Sequence, residues 1–195
     1  MALPGMRMSE SAQTISRFRL GPLAVDLSGR IRSGAAVAGA LVCVLVIAHF
    51  GFGAEALVGV VLVSVLTLLA AIDLERGVLP NGIVLPALFI VLALQLALFP
   101  DRAFEWIAAS LAVGIVLLIA ALAKPGGLGY GDVKLGLLLG AGLGQNVLVC
   151  LVVGTFAMWP LAVYLYIRHG HEAKKMALPF GPFLALGAVV ALLTG

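Results

Sequence analysis

An all-α fold, a polytopic bundle of six to seven transmembrane helices, is what this sequence predicts, and three observations carry it. Apolar residues make up 63% of the 195 and charged residues only 11%, with mean hydropathy +1.19, against roughly half apolar and a quarter charged in soluble domains. The apolar residues come in runs matched to a hydrocarbon core about 30 Å thick, which takes about 20 residues of helix. The charges collect between those runs, and little chain is left over for a separate soluble domain.

Residues 1–33 read as a basic cytoplasmic tail, carrying Arg7, Arg17, Arg19, Arg30 and Arg32. With no apolar core in its first part it is not a secretory signal. Its stretch ISRFRLGPLAVDL either lies on the membrane surface or stays disordered. Residues 34–195 read as one transmembrane domain. Its first spans are Gly34–Phe50, Ala54–Ile72, Ile83–Phe99 and Phe104–Leu122. The apolar run from Val133 to Ile167 is too long for one crossing, and Gly144-Gln145-Asn146 breaks it into a short helix and a longer one. The last span is Leu178–Leu193. The total is seven crossings if the short helix passes through and six if it is re-entrant.

Basic residues mark cytoplasmic loops. With the N-terminus inside, the five tail arginines join Arg76, Lys124, Lys134, Arg168, Lys174 and Lys175 on the inner side, leaving Arg102 outside. This requires Val133–Ile167 to return as a hairpin to the side it left. A net charge of +3 and a pI near 9.1 therefore describe topology and not nucleic-acid binding, since no basic face gathers them. Cys43 and Cys150 lie in apolar runs without a CxxC partner and read as packing residues. His169, His171 and Glu172 lack the spacing and the further ligand of a metal site.

Two acids stand out. Asp73 closes the second span in AAIDLERGVLPN, and Asp132 opens the fifth in GLGYGDVKLG. The topology returns both to the same membrane level, where they can face each other. Two carboxylates brought together share one proton, because like charges in a low dielectric resist joint ionisation. The ionised member can then activate water while the protonated one donates to a carbonyl oxygen. Each acid alone has a plainer reading, Asp132 as a helix N-cap and Asp73 as an interfacial charge. Gly127, Gly129 and Gly131 leave room beside Asp132 for a close backbone, and Gly136, Gly140 and Gly144 make two GxxxG steps for tight helix packing. Lys134 either snorkels to the headgroups or attracts an acidic residue. Pro179 and Gly181, in LPFGPF, shape or bend the start of the last span or line a groove.

Three segments in order, AAIDLERGVLPN, GLGYGDVKLGLLLGAGLG and ALPFGPFLALGA, resemble the type IV prepilin peptidase family, GxGD aspartyl proteases of the A24 type from bacterial inner membranes. The resemblance implies that Asp73 and Asp132 are the catalytic aspartates, with Gly129, Tyr130 and Gly131 completing the second motif. It implies cytoplasmic-face cleavage of the basic leader from prepilin or pseudopilin precursors, in contact with membrane lipid and with no cofactor. Two features depart from the family: Asn81 stands where relatives often carry an acid after the proline, and the cysteine-rich segment of the methylating relatives has no counterpart. The expectation is a short form acting as a peptidase without N-methylation, similar to those serving Flp or tight-adherence pili. A reading of another class is a non-enzymatic pilus-assembly factor or small ion-coupled transporter, whose acids would more often lie near the bilayer midplane.

Overall fold

The computed structural model describes residues 29–123, 129–169 and 179–195. Seven α-helices appear among them: α1 (Gly29–Phe50), α2 (Ala54–Arg76), α3 (Asn81–Leu98), α4 (Ala103–Ala123), α5 (Tyr130–Leu143), α6 (Val147–His169) and α7 (Gly181–Thr194). Short 3-10 turns at Pro100–Arg102 and Gly144–Asn146 join α3 to α4 and α5 to α6.

Each expected span has its helix, with shifted ends; Leu178, the expected start of the last, lies outside the described residues. The first helix begins at Gly29, ahead of the expected Gly34. Asp73 does not close α2, because the helix runs on to Arg76 and stops at Gly77, whose left-handed backbone (φ 61°) returns its N–H to the Asp73 carbonyl at 2.8 Å. That conformation suits a residue without Cβ. Helix α5 begins at Tyr130, ahead of the expected Val133, which places Asp132 inside its first turn. The expected break after Leu143 is a glycine with φ 56° followed by a single 3-10 turn.

Five segments are long and apolar enough to cross a membrane, the fifth being the α5–α6 stretch Tyr130–His169. Helices α5 and α7 have 14 residues each, so each is about 21 Å long at 1.5 Å per residue. They form the middle of the bundle. α5 packs against α4 and α3, α7 against α6 and α2, and α1 leans on α2. Leu62, Leu66, Leu69, Leu135, Leu138 and Leu184 fill the space between them.

The short α5 passes through the bundle and does not turn back. It starts beside the α2–α3 connection, where Gly131 meets Leu79, and ends where the Gly142 carbonyl accepts a 3.0 Å hydrogen bond from Gln95 Nε2 near the other end of α3. α6 then returns along α7, Gly154 against Leu184. The glycines of α5 serve this packing: a Cβ at Gly140 would stand 2.5 Å from the Ala109 carbonyl oxygen and the Ser110 Cα on α4. Ser110 Oγ closes the same contact by donating to the Leu137 carbonyl at 2.8 Å. Cys43 and Cys150 are unpaired, Cys150 being buried with its thiol toward the Leu184 carbonyl.

The helices thus alternate in direction. One end of the bundle gathers the end of α2 and the starts of α3, α5 and α7. The opposite end holds a cavity of about 140 Å³ lined by Phe50, Glu55, Gln95, Phe99, Trp106 and Leu143 among others.

Candidate active site

The apolar stripe of α2, Leu62, Leu66 and Leu69, faces the core, and one turn further along that face lies Asp73. It is one of few buried polar side chains among the described residues, 6% exposed. An acid at the C-terminal end of its own helix opposes that helix's dipole. Its partner comes from elsewhere: Asp73 Oδ2 accepts a 2.8 Å hydrogen bond from the Gly181 N–H at the start of α7. The first N–H groups of a helix have no intrahelical acceptor, so Asp73 caps α7 from across the bundle. The contact is close enough that a Cβ on Gly181 would stand 2.9 Å from Oδ2 and 3.2 Å from the Asp73 Cβ. Pro182 follows at a first-turn position, where a missing N–H costs nothing.

Asp132 is held differently. It is the third residue of α5 and half-buried, and Gly129, not Asp132, is the N-cap. The Asp132 N–H donates to the Gly129 carbonyl at 3.0 Å, and the Gly129 N–H donates back to Asp132 Oδ2 at 3.2 Å. The carboxylate is therefore anchored on its own helix start while its other oxygen makes no recorded hydrogen bond among the described residues. Gly131, next to Asp132, meets Leu79 on the connection that follows Asp73, so the two acids come to the same end of the bundle from helices far apart in sequence.

Around this pair, Gly131 packs on Leu79, a Cβ there falling 3.0 Å from the Leu79 Cβ. Lys134 Nζ donates to Asn81 Oδ1 at 2.7 Å, so its ammonium is engaged within the protein. Pro179 is half-buried just ahead of α7, and Tyr130 stands out 62% exposed. The structure brings Asp73, Asp132, Gly129, Gly131 and Gly181 together and leaves Tyr130 at the surface. Gly127, His171 and Glu172 lie outside the described residues, within which no three His, Cys, Asp or Glu side chains cluster as metal ligands. Leu79, and the partner of Asn81, are the contacts that sequence reading does not connect to the site. The run VLPN was visible, but nothing in one sequence pairs Asn81 with Lys134.

Fold and site together define a multi-pass α-helical membrane protein with two acids gathered at one end of its bundle. Residues 60–165 match the type IV leader peptidase family, and the chain belongs to it. It is similar to prepilin leader peptidase/N-methyltransferases of Burkholderia pseudomallei (35% identical, covering 85% of this chain and 53% of the relative), Pseudomonas putida (32%; 80% and 56%) and Bacillus subtilis (30%; 75% and 59%). The chain thus spans about half the length of these curated relatives. No solved structure matches it.

Proposed function

We propose that this chain is a membrane-embedded aspartic endopeptidase that removes the basic leader from prepilin or pseudopilin precursors, those of Flp or tight-adherence pili in particular. The observation that carries this reading is the convergence of Asp73 and Asp132 at one end of the bundle. One carboxylate, ionised, takes a proton from a water molecule as its oxygen attacks the scissile carbonyl. The other, protonated, gives its proton to the carbonyl oxygen, and the tetrahedral intermediate collapses with proton transfer to the leaving amine. The two different anchors suit this division, since each acid keeps its position without a bond to the other. Gly129, where a Cβ would stand 3.4 Å from Asp132 Oδ2, leaves the approach to that carboxylate open to a peptide backbone.

The acid-bearing end faces the cytoplasm in this reading, and the membrane is the bacterial inner membrane, with the N-terminus cytoplasmic. Arg76, Lys134 and Arg168 belong to helix ends on that side and Arg102 to the opposite one, the asymmetry expected of cytoplasmic loops.

Co-expression with a prepilin precursor, followed by its size on a gel, tests the proposal. D73N and D132N are each expected to leave the precursor uncut at normal membrane levels. Full processing by either variant overturns the two-carboxylate mechanism.

A further inference from the structure

Asp132 lies between two contacts, one to the connection leaving α2 and one to the first residue of α3 that follows it. On one side Gly131 rests on Leu79, and on the other Lys134 Nζ donates 2.7 Å to Asn81 Oδ1. That connection begins at Gly77, whose N–H is bonded to the Asp73 carbonyl, so the segment that receives the first turn of α5 is tied directly to the residue bearing the other acid. Leu79 is buried and gives the contact its closeness, but an apolar contact leaves α5 free to slide or rotate by small amounts. The Lys134–Asn81 bond is the polar, directional element, and a hydrogen bond from an ammonium is stronger and shorter than a neutral one. Lys134 lies two residues beyond Asp132, on another side of the helix, and its ammonium is directed to Asn81. It is poorly placed to serve as a free charge for substrate.

We infer that Lys134 and Asn81 are positioning residues: their bond fixes the first turn of α5 on the start of α3, where the α2–α3 connection ends, and so sets the distance between the two acids. This rests on the peptidase reading. Misplacement of a reacting group by about 1 Å costs on the order of a hundredfold in rate, whereas loss of a substrate contact made equally in ground and transition states raises KM and spares kcat.

The test uses the full chain, purified in detergent, with a prepilin precursor as substrate, and D73N and D132N as controls for the peptidase reading. N81L and K134M are each expected to lower kcat by roughly tenfold to a hundredfold, with KM within about twofold and thermal stability close to the parent. The double variant should be no worse than the more impaired single one, because both remove one bond. N81D, which keeps the acceptor oxygen, should restore kcat, and its restoration keeps the test decisive should N81L fold poorly. Unchanged kcat in N81L, or a K134M defect confined to KM, overturns the inference while leaving the peptidase reading intact. Activity in D73N or D132N would overturn the peptidase reading itself.

Discussion

Gly181 is the residue on which the buried acid depends most directly. Its N–H holds Asp73 Oδ2, and the space a side chain would need is filled by the carboxyl group. G181A therefore has to push either α7 or Asp73 aside. Cleavage of a prepilin is expected to fall more than about tenfold, since a displaced acid loses its alignment, while the membrane level of the protein stays near normal. A freely active G181A would show that the contact takes up a methyl group without misplacing Asp73. The acids themselves are legible in sequence, because each lies at the end of a long apolar run and charge placement puts both at one level. Their anchors are less so. Asp132 suggested an N-cap, yet the helix starts earlier, because Gly129 takes the cap position and lets the acid reach back. The Asp73–Gly181 bond joins residues 108 apart, a pairing that no local pattern encodes.

Among the elements, α4 and α5 make the most extensive contact, and glycine decides its closeness. A Cβ at Gly140 meets main-chain atoms of Ala109 and Ser110, and backbone cannot rotate out of the way as a side chain can. G140A is expected to cost about 1–3 kcal/mol, as overpacking generally does, and to lower the melting temperature in detergent. S110A loses a single hydrogen bond to the Leu137 carbonyl, and in membranes such a bond is worth about 0.6 kcal/mol. A larger drop for S110A than for G140A would show that the hydroxyl, and not backbone proximity, holds the pair. The GxxxG spacing announced close packing from sequence alone. It could not say which helix would fill the groove, since Gly136 and Gly140 fit a neighbour within the chain as readily as a second copy. The helices themselves were read almost to their ends, because apolar run length is a one-dimensional signal.

At the scale of the whole molecule, the alternating helices make orientation a single choice. A periplasm-active reporter fused after Phe99 is expected to be active and one fused after Arg76 inactive; the reverse pattern would place the acids outside. The central helices α5 and α7 bear directly on the acids, one carrying Asp132 and the other holding Asp73. At about 21 Å they are shorter than a hydrocarbon core of about 30 Å, while α2 and α6 have 23 residues each. A bilayer meeting such a body has to thin around the short helices while the longer ones tilt, each at a modest cost. Lipid chain length then becomes a control on the rate: in proteoliposomes, thin bilayers should favour cleavage and thick ones slow it, although no residue of the site has changed.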